Sequence, residues 1–325
     1  MDITPLDDDL LRQSTDAFSA YRALQRAKLD AQQVRGGMLW RKKGGRDYLI
    51  RTSPTGIQKG LGARSPETEA IYENFIERKL RAETTLQRRK AAVVQHERMN
   101  RALRIGRMPS VVVELLRRLE QSNLSEFFRV VGTFAIYAYE HAAGVRLANS
   151  VLQTNDVDLL WDVQRRIQFV DVLGKADEAS LIQVLKKVDK TFVVRHDQPY
   201  TAINDNGFEV DILRRIPKGD DPHPFRMSED VQDFWAVPAT TAETLTSAAP
   251  FSQVVVASTG KMAIMHTVHP LTFVSIKERL AALKERDPLK RRRDLAQAQA
   301  VAEIADNYLP HLAKDYRNGR PKPFG

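Results

Sequence analysis

The chain has 325 residues, of which 42% are hydrophobic, and its 50 Lys and Arg exceed its 41 Asp and Glu to give a net charge of +9. It contains no cysteine, which excludes disulfides and thiolate metal sites. The sequence shows neither a secretory signal nor an apolar run near the roughly 20 residues of a membrane span, so we expect a cytoplasmic protein. The positive charge either suits a polyanion, such as RNA or nucleotide phosphates, or only favours solubility.

The first third of the chain, residues 1–109, is predicted to be a mainly helical region with one β-hairpin around Gly44-Gly45. Its predicted elements are a helix over residues 8–33, a hairpin over 38–51, a loop over 59–65 and a second helix from Ser65-Pro66 to about Gly106.

The second predicted helix is strongly basic. Residues 78–107 contain ten Lys or Arg, and their only acids are Glu83 and Glu97. One interpretation is a solvated helix whose apolar stripe, with Ile71 and Leu80, packs elsewhere. The other is an electrostatic surface for RNA or another acidic partner, although few aromatic residues are there to stack on bases.

The remainder of the chain alternates strands and helices from Phe127 onward, which predicts an α+β fold with a small mixed β-sheet flanked by helices. We expect this core to occupy residues 110–265 and a helical C-terminal region to occupy 266–325. The predicted strands are 127–131, 156–160, 191–196, 207–213 and a pair within 251–265, and the predicted helices are 110–121, 133–143, 178–187 and two that begin near Pro270 and Pro288.

Three aspartates are candidate metal ligands. Asp156 and Asp158 are two residues apart on a predicted strand, so their side chains share one face of the sheet. Asp211 lies between Val210 and Ile212 on a later strand, where an acid is costly unless a cation compensates it. Carboxylate oxygens are the ligands that Mg²⁺ prefers, so we expect a Mg²⁺ (or Mn²⁺) site. The alternative is that the Asp-x-Asp pair is an ordinary surface feature.

A Gly-Thr turn precedes these acids. Gly132 lets the backbone approach a triphosphate without a Cβ in the way, and Thr133 begins a helix whose free N–H groups favour phosphate. The alternative is a simple turn with a helix cap. With a metal site beside it, the turn is typical of nucleotidyl transfer, in which divalent ions activate a hydroxyl and neutralise the leaving pyrophosphate.

The order of these parts resembles the polymerase-β-like nucleotidyltransferase superfamily. From about Gly132 to Leu295 the chain is similar to bacterial minimal nucleotidyltransferase-fold proteins of the AbiEii-like and related toxin-like groups, with a late signature in residues 269–277 and 290–295. The resemblance implies that Lys277 lies near the triphosphate and that Arg293 and Asp294 hold the C-terminal helices together. The alternative for Lys277 is a surface lysine.

The chain departs from the family pattern in two ways. The turn is Gly-Thr where Gly-Ser or Gly-Gly is usual, and 24 positions separate Gly132 from Asp156, which is more than usual. We expect an extra turn of helix and a loop through residues 144–153 to absorb the difference.

The predicted function is that of an enzyme that transfers NMP from an NTP such as ATP to a hydroxyl group and releases pyrophosphate. The catalytic and metal-binding residues would be Asp156, Asp158 and Asp211, and the nucleotide-binding residues would be Gly132, Thr133 and Lys277. The expected acceptor is RNA, with tRNA 3′ ends first, or else a protein or a small molecule, and toxin-like relatives raise the prospect of an antitoxin partner. The alternatives are a non-catalytic RNA- or protein-binding module on this fold, and a nucleic-acid-binding regulator acting through residues 66–106.

Overall fold

The computed structural model describes residues 3–175 and 180–319, and the fold is α+β, as predicted. Its helices are α1 (Asp8–Gln33), α2 (Pro66–Ala102), α3 (Ser110–Gln121), α4 (Ala135–Ala143), α5 (Asn149–Leu152), α6 (Arg166–Lys175), α7 (Leu181–Lys186), α8 (Ala242–Ser247), α9 (Pro270–Ala281), α10 (Pro288–Asn307) and α11 (Pro310–Gly319). Its strands are β1 (Ile3–Pro5), β2 (Gly37–Lys43), β3 (Arg46–Thr52), β4 (Gln58–Ala63), β5 (Phe128–Val131), β6 (Val145–Leu147), β7 (Asp156–Trp161), β8 (Val193–Val194), β9 (Thr201–Ile203), β10 (Glu209–Arg214), β11 (Val237–Pro238), β12 (Pro250–Val256) and β13 (Met262–Val268).

The chain forms two compact units. The first, which we call the arm, is Arg12–Ala102, and the second, the core unit, comprises the described residues before and after it. None of the described helices combines the length and apolar character needed to cross a bilayer.

The arm contains a three-stranded antiparallel sheet in the order β2-β3-β4. The predicted hairpin is present, and Gly44 and Gly45 both have positive φ, as its two-residue turn requires. The prediction of a loop over residues 59–65 is wrong for most of its length, because Gln58–Ala63 is a third strand that pairs with β3. Pairing to an open strand edge is made by the backbone, so the side-chain pattern of this glycine-containing segment did not indicate it.

Helix α2 of the arm is 37 residues long and ends four residues before the predicted boundary. Of its residues, only Thr68, Val93 and Asn100 are buried. The predicted apolar stripe is wrong at Ile71 and Leu80, which are 44% and 65% exposed. Most of this basic helix therefore presents its side chains to solvent.

A six-stranded mixed sheet lies at the centre of the core unit, in the order β5-β7-β10-β9-β8, with β11 also paired to β10. Strand β7 runs antiparallel to β5 and parallel to β10. Side chains alternate along a strand, and Val157, Leu159, Val210 and Ile212 are fully buried on one face. The acids that alternate with them therefore lie on the opposite face.

The connection between α4 and β7 forms a strand and a short helix, where we had predicted an extra turn of helix and a loop. Gly144 ends α4 in a left-handed conformation, and the chain continues directly into β6 and α5. Strand β6 pairs with β1 in antiparallel register, from Ile3 opposite Leu147 to Pro5 opposite Val145. Antiparallel pairing thus gives the extended part of this long connection a partner strand.

Candidate metal and phosphate site

The sheet register brings the three predicted aspartates together. Parallel pairing of β7 with β10 sets Asp211 beside Asp158, and Asp156 is two residues before Asp158 on the same face. Each of the three offers a carboxylate oxygen, and these atoms all lie within 4.8 Å of one another. An all-oxygen cluster of this size matches what a hard divalent cation such as Mg²⁺ accepts.

The cluster is electrostatically unfavourable without a cation. Burial, which has the largest effect, and the nearby charges of Asp156 and Asp211 together raise the pKa of Asp158 to about 7. The pKa of Asp211 is also raised, mainly by burial. A bound cation would replace the proton that Asp158 otherwise holds near neutral pH.

Two threonine hydroxyls orient the carboxylates. The hydroxyl of Thr201 on β9 donates to Asp211 Oδ1 at 2.5 Å, and the hydroxyl of Thr154 donates to Asp156 Oδ1. Neither threonine was predicted as a site residue. Thr201 is directly opposite Asp211 in the β9–β10 register, so a strand alignment of the two segments would have indicated it.

Gly132 is a point of close approach to the aspartate cluster. Its φ of +66° is left-handed, and a Cβ at this position would overlap the carboxylate of Asp158. The overlap follows from the strand register, because Val131 is opposite Asp158 on the paired strand β5. Glycine therefore provides both the conformation and the space.

The turn before α4 presents unpaired backbone donors. The N–H groups of Gly132, Thr133 and Phe134 donate no hydrogen bond to any residue that the structure describes. Such groups at the start of a helix attract anions, phosphates among them. The Thr133 side chain is itself buried, and its hydroxyl accepts from Gln297 Nε2 at 3.1 Å, so its backbone is the part free to meet a phosphate.

Lys277 is buried, which excludes the surface-lysine interpretation. Its Nζ lies 2.9 Å from Asp294 Oδ1, and its positive charge lowers the pKa of Asp158. The pKa of Lys277 is lowered by burial, which the ion pair with Asp294 opposes. The lysine thus carries a buried positive charge that pairs with Asp294 and acts electrostatically on Asp158.

The prediction that Arg293 and Asp294 together hold the C-terminal helices is wrong for Arg293. Asp294 is fully buried and pairs with Lys277 of α9 and, at 2.7 Å, with Arg286 of the α9–α10 connection. Arg293 makes no hydrogen bond or ion pair with the described residues, and its Nε is buried. Its charge instead lowers the pKa of Asp158. The structure therefore separates Asp294, which joins the helices, from Arg293, which adds positive potential at the site.

Gln297 is a buried residue that sequence reasoning missed. It lies three residues after Asp294 on α10, so both project from one helix face. Its Nε2 also donates to the carbonyl of Val151 at 2.8 Å, which ties α5 to the turn before α4. The helical spacing from Asp294 is the sequence signal that could have indicated it.

Comparison with known families matches residues 110–319, which lie in the core unit, to a family model described as nucleotidyltransferase. No curated protein matches the chain. No solved structure matches it either.

A methyl group at Gly132 is expected to disrupt the candidate metal site. Gly132→Ala forces the Asp158 carboxylate to move, so the affinity for Mg²⁺ should fall by at least about tenfold, measured by calorimetric titration. Gly207→Ala is the matched control, because Gly207 has a φ of +74° but no atom within 4 Å of an added Cβ. That control should lose only about 1–2 kcal/mol of stability and keep its Mg²⁺ affinity. Equal Mg²⁺ affinities in the two variants would contradict the close approach.

Stabilisation by Mg²⁺ is expected to increase with pH. Without a metal the folded protein holds a proton on Asp158 up to about pH 7, whereas the unfolded chain releases it near pH 3.8, the ordinary pKa of an aspartate. Metal-free stability should therefore fall as pH rises through this interval, and a cation should compete less with protons at about pH 8 than at about pH 6. The increase in melting temperature on adding Mg²⁺ should be larger at the higher pH, with NaCl at equal ionic strength as the control. An increase independent of pH would count against proton release by the cluster.

The buried ion pairs predict an order of stabilities. Asp294→Ala leaves Lys277 buried without a counter-charge and should cost about 3–5 kcal/mol of unfolding free energy, measured with urea. Lys277→Met should cost less, because Arg286 still compensates Asp294. The reverse order would show that Asp294 is not the centre of this cluster.

Proposed function

The chain belongs to the nucleotidyltransferase family, and on that premise we propose that it transfers a nucleotidyl group from an NTP to a hydroxyl of RNA with release of pyrophosphate, in the presence of Mg²⁺ or Mn²⁺. The observation that carries the proposal is the position of three clustered carboxylates beside a glycine that leaves no space for a side chain. Divalent ions held there would lower the pKa of the attacking hydroxyl and stabilise charge on the α-phosphate and the leaving group.

The side chains around the proposed metal site have distinct roles in the proposal. The three aspartates Asp156, Asp158 and Asp211 would hold the ions. Hydrogen bonds from Thr154 and Thr201 orient the carboxylates of Asp156 and Asp211, respectively. Burial and the neighbouring charges raise the pKa of Asp158 to about 7, so bound cations would favour its ionised form.

The phosphate chain would bind to a set of donors around the turn. The free N–H groups of Gly132, Thr133 and Phe134 would donate hydrogen bonds to phosphate oxygens, as N–H groups at helix starts do elsewhere. Lys277 and Arg293 would supply positive charge from α9 and α10, and both already act electrostatically on Asp158. Of these two, Arg293 has the guanidinium without a protein partner among the described residues, which favours it for a phosphate contact.

The basic arm supports RNA as the acceptor. Helix α2 exposes Arg78, Arg88, Lys90 and Arg98, and acids are few in this half of the helix. A row of exposed cations along a long helix attracts a phosphate backbone, and binding of this kind weakens steeply with salt. The tRNA 3′ end, an antitoxin partner and a cytoplasmic location stay predictions.

The test is transfer of label from α-³²P-labelled NTPs to total RNA with Mg²⁺ or Mn²⁺. We expect the wild type to label RNA with at least one NTP and Asp211→Asn to reduce the rate by at least about a hundredfold, because it removes a ligand charge. Asp205→Asn is the matched control, since Asp205 is exposed in the loop before β10 and outside the cluster. Labelling of a protein or a small molecule in a lysate would overturn the RNA acceptor and keep the transfer reaction. A wild type that labels nothing but binds RNA would overturn the enzyme and favour a binding module.

A further inference from the structure

A cavity of about 550 Å³ lies in the core unit beside the carboxylate cluster, and of its lining residues only Thr154 has a role in the proposed chemistry. It is lined by Tyr137, Asn149, Leu152, Gln153, Thr154 and Asn155. Five of these six residues belong to the long connection between α4 and β7 and Tyr137 to α4 itself. The volume is within the range of small-ligand sites and is sufficient for a nucleoside.

The cavity adjoins the metal ligands directly. Thr154 lines it and also donates its hydroxyl to Asp156, and Asn155 is the residue before Asp156. The backbone of Asn155 is fixed to the sheet, because its carbonyl accepts from the N–H of Glu209 at 2.8 Å. A ligand in the cavity would therefore contact residues that immediately precede Asp156 in the chain.

The chemistry of the lining differs from that of the neighbouring site. Four of the six side chains are uncharged amides or a hydroxyl, one is aromatic and one is aliphatic, and none is charged. Such a surface offers no counter-charge to a phosphate or a carboxylate. It does offer hydrogen-bond donors and acceptors of the kind that recognise the edges of nucleobases.

Asn149 is held in one orientation before any ligand binds. Its Oδ1 accepts from Arg107 Nη1 at 2.9 Å, which directs the amide oxygen to the arginine and leaves the NH₂ group as donor. Arg107 is fixed in turn, since it pairs with the buried carboxylate of Glu140 and donates to the Leu147 carbonyl at 3.1 Å. This network makes Asn149 a preorganised donor.

Tyr137 supplies an aromatic wall. Its ring stacks on Phe134 with centroids 5.9 Å apart, and its hydroxyl makes no hydrogen bond with the described residues. The pKa of Tyr137 is raised, mainly by burial, so the hydroxyl stays neutral. A planar ring in the cavity would meet an aromatic side chain and neutral hydrogen-bonding groups together.

We propose that this cavity binds a nucleobase and that Asn149 is a specificity-determining residue within it. The proposal rests on the proposed nucleotidyl transfer, because that reaction supplies the two possible sources of the base. These are the NTP and the terminal nucleotide of the RNA acceptor. In both cases the base lies in the neutral cavity while its phosphates lie towards the clustered carboxylates and their ions.

The experiment measures binding of the four nucleosides, the four NTPs and inorganic tripolyphosphate to the full-length protein by calorimetry. Asn149→Asp keeps the oxygen that accepts from Arg107 and replaces the amide donor with an acceptor. We expect the wild type to bind at least one nucleoside. Asn149→Asp should weaken the binding of that nucleoside about tenfold or change the preferred base. Tripolyphosphate should bind both proteins equally. Ser150→Ala is the matched control, because Ser150 is exposed on the same short helix and does not line the cavity.

The two sources of the base give different results. If the base belongs to the NTP, Asn149→Asp weakens the binding of that NTP and leaves the KM for the RNA acceptor unchanged. If it belongs to the acceptor, NTP binding is unchanged and the KM rises for RNAs ending in the preferred base.

The cavity proposal is overturned if no nucleoside binds and Asn149→Asp matches the wild type with every NTP and RNA. Failure of the transfer reaction is separable from this result, because nucleoside binding requires neither metal nor catalysis. It should persist in Asp211→Asn even if no acceptor is ever labelled.

Discussion

The parallel pairing of β7 with β10 is the constraint on which the rest of the site depends. It places Asp211 next to Asp158 and, with Asp156, concentrates three carboxylates on one face of the sheet while the opposite face is filled by fully buried aliphatic side chains. A shift of one residue in this register would put Asp211 into the apolar face and valine or isoleucine beside the other acids. The packing that stabilises the sheet therefore also enforces the repulsion that a cation relieves.

Helix α10 connects the parts that surround this cluster. Asp294 fixes Lys277 and Arg286, and Gln297, on the same face, holds Thr133 and the carbonyl of Val151. Buried polar groups of this kind are stable only when their partners are in place, so the helix can occupy few positions against the sheet. The proposed phosphate-binding groups and the proposed base cavity are thus braced by the same twenty-residue helix.

The elements that could be predicted from the sequence are those determined by short-range patterns of side chains. Helix α1 was predicted with its observed limits, and strands β5, β7 and β10 were placed to within about two residues, because the spacing of apolar side chains determines them. The third strand of the arm was missed because its pairing is made by backbone groups of glycine-containing chain.

The residues of the candidate site also divide into those that a local pattern could predict and those that it could not. The three acids could be selected because Asp156 and Asp158 form an Asp-x-Asp pair on a predicted strand, where alternation gives them one face, and because Asp211 lies between Val210 and Ile212. The arginine partner of Asp294 could not be predicted, since the sequence does not distinguish the arginine next to it from the one eight residues earlier. Gln297 and Thr133 are 164 residues apart, and no local pattern indicates a contact of that range.

The antiparallel ladder between β1 and β6 has a consequence for handling the protein. Residues 3–5 supply the neighbour of the strand that leads into α5, so shortening the chain past Pro5 would leave β6 with an open edge. That edge belongs to the segment that also carries Asn149 and the Leu147 carbonyl, which accepts a hydrogen bond from Arg107. A deletion or fusion at residues 3–5 would thus disturb the wall of the proposed base cavity, which lies more than 140 positions later in the chain.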